Sequence, residues 1–320
     1  MRPSATAAGA VWDIARRKSV MARQVPWEAG SLWQKLKAQS AHGLAVGALQ
    51  SIETDITYVE DRGVRFRVYV LANLSRKEKA RKQQGKTAPK NPFLPYEDDL
   101  YVCDVSSTHL CLLNKFNVVD HHFLIVTREY EPQENWLTLT DFEALAKCLR
   151  EVDGLAFFNG GEVAGASQPH KHMQVVPRTS SRQEKAIDFP MEAQLITAAS
   201  GHGSQLPFPS AISSLKNTPE AKALESAGYL QKTYHQLLSS VGIESDNGYR
   251  HGQTAAYNFL CTRQWMMIVP RIREKHEQIS VNSLGFAGTL LVKERKQLAQ
   301  LQSFGPMQLL QFVSGKPASS

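Results

Sequence analysis

Residues 165–177 read Gly165-Ala166-Ser167-Gln168-Pro169-His170-Lys171-His172-Met173-Gln174-Val175-Val176-Pro177, and their alternation decides how the chain is read. After Pro169, an extended strand sends successive side chains to opposite faces. His170, His172 and Gln174 then share one face, with Lys171, Met173 and Val175 on the other. Two imidazoles and an amide in a row make a small reactive surface. One ring can attack a phosphorus atom while its neighbours hold it and bind the charged oxygens. Just upstream, Gly165-Ala166-Ser167-Gln168 supplies backbone N–H groups and a hydroxyl, the components of an anion cradle.

A neutral imidazole that attacks phosphorus forms a covalent phosphoramidate and splits one displacement into two easier ones. The charge on the phosphoryl oxygens then needs aimed donors. Gln174 can give its amide and Ser167 its hydroxyl. The same His-x-His spacing can bind zinc from one side, with a third ligand from His109, His121, His122 or a distant acid. Spacing alone forces neither reading; the chemistry favours the nucleophile.

Outward from this strand, Leu155 to Phe158 is a short apolar strand closed by Asn159-Gly160-Gly161. Thr140 and Glu143 form a capping box for a helix carrying Phe142, Leu145, Ala146 and Leu149. Leu110 to Leu113 and Val118 to Val126 read as strands around the turn Asn114-Lys115-Phe116-Asn117. Residues 64–70 alternate as a half-buried strand, and Ser31 to Leu49 has helical spacing. Asn91-Pro92-Phe93-Leu94-Pro95 is a rigid connector, preceded at 75–90 by a strongly basic run. That run reads as a solvated helix or loop, or as a phosphate-attracting arm. Residues 178–216 are rich in Ser, Pro and Gly and read as a long connection. Beyond it come a helix at 218–240, strands at 255–260, 265–269 and 289–292, and helices at 293–301 and 307–312. Strands in hairpin-like order with helices between them predict an α+β fold with a mostly antiparallel sheet.

The bulk numbers fit this picture. The 320 residues are 42% hydrophobic and 21% charged, enough for a sizeable core without disulfides or a structural metal. A formal net charge of +7 suits a polyanionic partner, nucleotide or nucleic acid. The basic run lacks interleaved aromatics, which argues against nucleic acid. Cys103, Cys111, Cys148 and Cys261 contain no Cys-x-x-Cys pair, so they read as free thiols in a reducing, cytoplasmic setting. No apolar run approaches membrane-spanning length. The first 25 residues are basic and lack a secretory apolar core; they read as a flexible extension, or as a loosely transit-peptide-like segment.

His170-Lys171-His172-Met173-Gln174, with Gly165-Ala166-Ser167-Gln168, resembles the histidine-triad superfamily, in the galactose-1-phosphate uridylyltransferase-like branch with Gln in place of the third His. The stretch Asn114 to Val126 is similar to that superfamily's nucleotide-binding turn, with Asn117 and His121 where Pro and Gly are usual. Tyr257-Asn258-Phe259-Leu260, Val269-Pro270-Arg271 and Ser280 to Lys293 resemble the diadenosine tetraphosphate phosphorylases, or ATP adenylyltransferases. The resemblance runs from about residue 28 to 315. It implies a histidine-triad-like sheet with flanking helices, elaborated by a C-terminal half packed on the same sheet. In that scheme residues 1–27 are a flexible extension, 28–178 the catalytic region, 179–217 a connecting segment and 218–315 the ATP adenylyltransferase region.

The resemblance also implies a reversible phosphorolysis of diadenosine tetraphosphate to ATP and ADP. His172 is the expected nucleophile, Gln174 binds the phosphoryl group, and His170 orients the surroundings. Lys77, Asn114, Lys115, Asn159, Gly165, Ala166, Ser167, Gln168, Asn282, Ser283 and Lys293 are the expected nucleotide and phosphate contacts. Mg2+ is expected to arrive with the nucleotide, with no zinc, nucleic acid or membrane, in a monomer or homodimer. Hydrolysis, or an ADP-sulfurylase-type transfer, through the same intermediate is the alternative.

Overall fold

The apolar runs and alternating segments become the strands of a large antiparallel sheet. The computed structural model describes residues 25–71, 91–178, 189–201, 206–215, 227–244 and 255–315. The strands are β1 (Thr54–Asp61), β2 (Val64–Leu71), β3 (Tyr101–Asp104), β4 (His109–Leu113), β5 (Phe123–Thr127), β6 (Gly154–Gly160) and β7 (His172–Pro177). They continue as β8 (Ala211–Ser214), β9 (Tyr257–Cys261), β10 (Trp265–Pro270), β11 (Lys275–His276), β12 (Ile279–Ser280) and β13 (Thr289–Val292). The helices are α1 (Leu32–Ala45), α2 (Leu139–Glu151), α3 (Glu192–Ala199), α4 (Ala227–Ser240), α5 (Arg295–Phe304) and α6 (Pro306–Ser314).

Eight strands form one sheet in the order β3-β4-β5-β7-β6-β9-β10-β8, every pairing antiparallel. The predicted α+β class therefore holds. The β6–β9 pairing joins the N-terminal five strands to the C-terminal three, so both parts of the chain share one sheet. A second sheet, β1-β2-β13, pairs β13 parallel to β2.

Alternation along each strand divides the core into layers. Phe123, Ile125, Ala156, Phe158, Met173 and Val175 pack with Phe142, Leu145 and Leu149 of α2 and Leu230, Tyr234 and Leu237 of α4. Across the sheet, Leu155, Phe157, Val176, Leu260, Met267 and Val269 pack with Phe66, Val68 and Leu290 of the small sheet and with Leu309, Leu310 and Val313 of α6. A third, smaller cluster holds Phe93, Leu112, Leu124 and Val126. Each such side chain contributes roughly 1.5–3 kcal/mol of gross burial. His172 and Gln174 lie on this second face, because they pair with Val126 and Leu124 of β5.

Several expectations shift. The strand expected at Val118–Val126 begins only at Phe123. Before it, Asn117 Nδ2 donates to Val119 O at 2.9 Å, and His121 takes a left-handed φ of 56°. A non-glycine residue there needs support. His121 has it: Nδ1 meets Ser40 Oγ at 2.9 Å, and the ring stands edge-on to Trp33. Helix α2 is capped by Thr138 and Asp141 rather than Thr140 and Glu143, because Asp141 also receives the buried Lys171 and anchors the turn there. The stretch read as a pure connection carries α3 and β8, the latter an edge strand on β10. Its weak periodicity hid elements that are short and only partly buried. Of the helix expected at 218–240, Ala227–Ser240 is described and 218–226 lies outside the described residues.

Candidate active site

The strand of the His-x-His-x-Gln motif does not start where its alternation does. His170 forms an isolated bridge to Pro132, and β7 proper begins at His172. Past Phe157, which pairs with Gln174, the β6–β7 ladder ends. The gap is closed by a side chain. Gln133 Nε2 donates to Asn159 O at 2.9 Å and to His172 O at 3.2 Å, while Gln133 Oε1 accepts His172 N–H at 2.8 Å. Gln133 is only 1% exposed. It replaces the missing ladder bonds and fixes the backbone of His172.

His172 is fixed again through its ring. Nδ1–H donates to the carbonyl of His170 at 2.8 Å, so the lone pair resides on Nε2. Burial lowers the ring's pKa to about 4, so it is neutral at pH 7. That is the form a nucleophile requires. His170 is fully buried. Its Nε2–H donates to Thr127 O at 2.8 Å, and its Nδ1 accepts from Asn91 Nδ2 at 3.0 Å. The rings of Phe93 and Tyr130 stand edge-on to it. His170 thus has both nitrogens committed and presents its carbonyl to His172.

Asn159 lies on β6, on the same sheet face as Gln174. Its Oδ1 accepts three bonds, from Asn258 Nδ2, Ser283 N–H and Ser283 Oγ–H, at 2.7–3.0 Å. These bonds turn its amide NH2 outward. Asn258 in turn accepts from Arg271 Nη1 at 2.6 Å, and both donate to the carbonyl of Ala164. Burial pulls the Arg271 pKa down to about 10, still charged at pH 7. The two residues anchor the start of the 165–168 loop through the Ala164 carbonyl. Gly165 in that loop has φ 90°, and a Cβ there would sit 2.8 Å from Val281 O. Only glycine allows that approach.

Gly165, Asn282 and Lys293 line one cavity of about 270 Å3 with Lys275, Gln278 and Gln297. Asn282 caps a short 3-10 helix at Ser283–Ala287 through Leu284 N–H. Ser283 is fully buried and supports Asn159. Ala166 and Gln168 are half-buried, and Ser167 is exposed at the loop's tip. Asn114 hydrogen-bonds His122, and Lys115 pairs with Glu97 at 2.6 Å on the neighbouring turn. The geometry therefore gathers His170, His172, Gln174, Asn159 and the 165–168 loop, and joins Gly165 to Asn282 and Lys293 in one cavity. Lys115 is turned to a carboxylate partner, and Lys77, like the basic run, lies outside the described residues.

Gln133, Asn258 and Arg271 carried no assigned role in the sequence reading. Gln133 sits in a polar loop that no pattern distinguishes. Asn258, in Tyr257-Asn258-Phe259-Leu260, and Arg271, in Val269-Pro270-Arg271, lie in segments that carry the family resemblance, and that was the readable signal.

A neutral imidazole with one nitrogen tied to the backbone, beside the amides of Gln174 and Asn159 and a glycine-containing loop, suits the nucleotidyltransferase class. The profile of the Ap4A phosphorylase N-terminal domain matches residues 22–197, and that of the ATP adenylyltransferase C-terminal domain matches 204–316. The chain belongs to the Ap4A phosphorylase family. It is 26% identical over 305 residues to diadenosine 5',5'''-P1,P4-tetraphosphate phosphorylase 2 of Saccharomyces cerevisiae, covering 82% of this chain and 89% of that protein. It is 24% identical over 277 residues to Protein APA1 of the same yeast, covering 80% and 84%. Its fold is that of the crystal structure of yeast Ap4A phosphorylase Apa2 in complex with AMP, with a TM-score of 0.71 at 24% identity over 92% of this chain and 100% of that one. The structure of the same yeast enzyme in complex with Ap4A gives a TM-score of 0.67 at 21% identity over 91% and 99%. Among the described residues no helix is long and apolar enough to cross a membrane.

Proposed function

We propose that this enzyme phosphorolyses diadenosine tetraphosphate reversibly through an adenylyl-His172 intermediate. The observation that carries this reading is the state of His172: neutral, with Nδ1–H tied to the His170 carbonyl and the lone pair on Nε2. Nε2 attacks an α-phosphorus, the P–O bond to the next phosphate breaks, and ATP leaves. The Nδ1–H···O=C bond strengthens as the ring gains positive charge. Gln174 and the NH2 of Asn159 receive the non-bridging oxygens. An oxygen of inorganic phosphate then attacks the same phosphorus, the P–N bond breaks and ADP is released. The reverse sequence joins ADP and ATP.

The 165–168 loop, Asn282 and Lys293 bind the remaining phosphates. A divalent cation, Mg2+, travels with the tetraphosphate and offsets part of its charge while keeping its own waters. Among the described residues no three His, Cys, Asp or Glu side chains converge to hold a metal. A cation carried by the phosphates fits this donor set of amides, hydroxyls and backbone N–H groups.

The test is a time course of nucleotide products from diadenosine tetraphosphate with and without inorganic phosphate. ATP and ADP formed only when phosphate is present are expected. AMP released without phosphate identifies a hydrolase, and the phosphorolysis reading then fails.

A further inference from the structure

One histidine at this site is not used by the scheme above. His122 precedes β5, and its carbonyl accepts Asn114 N–H at 2.9 Å, so the β4–β5 ladder extends to this pair. On an extended strand His122 shares a face with Leu124, which pairs with Gln174. His122 therefore points to the same side of the sheet as Gln174 and His172. Its ring lies 6.0 Å from that of Phe157, which pairs with Gln174 from the other side.

Its hydrogen bonds fix its tautomer. Asn114 Oδ1 accepts Phe116 N–H at 3.3 Å, so the other end of the amide, Nδ2, faces His122 Nδ1 at 3.2 Å. An NH2 group only donates, so Nδ1 is the acceptor and the imidazole proton sits on Nε2. His122 Nε2 is buried and lacks a hydrogen-bond partner in the structure. Gln174 is a hydrogen-bonding neighbour of this ring and His172 an electrostatic one, yet no acceptor meets that N–H at full hydrogen-bond geometry. Burial holds the ring neutral, with a pKa near 4, so it is a neutral donor at pH 7. Buried donors are rarely left unmade, and each one calls for an explanation.

We propose that His122 Nε2–H is a further phosphate-binding donor of this site, aimed at a non-bridging oxygen of the α-phosphoryl group beside Gln174. The assignment rests on the adenylyl-transfer reading given above. An acceptor oxygen brought by the substrate satisfies the donor only when the nucleotide is bound. A second neutral donor beside Gln174 then grips the phosphoryl group without adding a charge that would hold back the leaving nucleotide.

Two variants separate binding from support. His122→Asn keeps an amide oxygen near Nδ1, able to accept from Asn114, and removes the outer N–H. His122→Gln places an amide NH2 close to the original Nε2. The readout is single-turnover release of ATP from diadenosine tetraphosphate, alongside the thermal midpoint. The expected result is an about 10²-fold slower H122N at an unchanged midpoint, with H122Q within several-fold of the parent. H122N as fast as the parent overturns the proposal. An equal loss in both variants, with a lowered midpoint, also overturns it and assigns His122 to the turn. A second measurement needs no folded variant: the imidazole 1H–15N signals of the unaltered protein, titrated with AMP. A downfield shift of the His122 Nε2–H supports the donor; an unmoved signal refutes it. If the parent itself releases no ATP, the adenylyl-transfer reading fails separately, and the AMP titration alone decides His122.

Discussion

Lys171, just before β7, and His172, its first residue, are both polar and both buried, yet they face opposite sides of the sheet and are built for opposite ends. On the helix side, Lys171 is closed in. Its Nζ reaches Asp141 at 2.6 Å, Glu131 at 3.1 Å and the carbonyl of Trp136 at 2.9 Å. Asp141 also meets His109 Nε2 at 3.0 Å and caps α2, and the His109 hydrogen bond together with the Lys171 charge holds its carboxyl well below the usual range despite burial. On the other side, His172 and His122 each have one nitrogen tied down and the second uncommitted. The difference teaches that burial does not mark a functional residue. Saturation of its hydrogen bonds marks support, and an aimed, unsatisfied atom marks chemistry.

The largest effect that sharpens this contrast is on turnover. Replacing His172 by Ala or Asn is expected to cut product formation by on the order of 10⁴-fold or more and to remove the acid-labile nucleotide adduct. Stopped assays with radiolabelled substrate read both, and a variant that keeps phosphorolysis refutes the covalent route.

The helix face breaks differently. Lys171→Met leaves Asp141 buried beside the uncharged replacement and is expected to cost about 3–5 kcal/mol in urea unfolding. Adding Asp141→Leu should recover most of that, because replacing both members of a buried pair is far milder than removing one. A single Lys171 variant as stable as the parent would show that the network contributes nothing.

The pH dependence reports the open face. His122 and His172 both have pKa values lowered to about 4 by burial, against 6.5 for an exposed imidazole. Below pH 6.5 the unfolded chain binds protons that the folded chain refuses, so stability falls as pH drops from about 6.5 toward 4. The expected slope is positive in that window, and His172→Asn should flatten it in urea melts taken from pH 4 to 7. For the same reason the acid limb of kcat/KM should fall below pH 6. A limb centred at 6.5 would mean that His172 titrates as an exposed ring.

The smallest effect concerns the splay between β6 and β7. Gln133→Ala strands the His172 N–H and carbonyl and removes one of the two donors to the Asn159 carbonyl, a penalty of about 1–3 kcal/mol. Loss of kcat beyond the loss of stability would show that this amide positions the nucleophile as well as the fold.

Much of this architecture was legible in the chain. Alternation named the His172 face and the β2 strand, and apolar runs named β4, β6, β9, β10 and β13. The family resemblance pointed to Asn159 and to the segment around Asn282, which lie on different strands and loops. The misses share a cause. Edge strand β8 is only half buried along its length, so its residues carry no clear period. The α2 cap moved because a lysine thirty residues away competes for Asp141. The left-handed turn at His121 is held by Ser40 and Trp33, distant in sequence.

The sequence by itself determined which residues can do chemistry, because residue type and a two-residue period are local properties: imidazole at 170 and 172, amide at 174, a small-residue loop before them. Only the tertiary structure decided which atom of each is available. That depends on the hydrogen bonds made by Gln133, Asn114, Asn258 and Arg271, which are far from the motif along the chain and meet it only once the sheet is assembled.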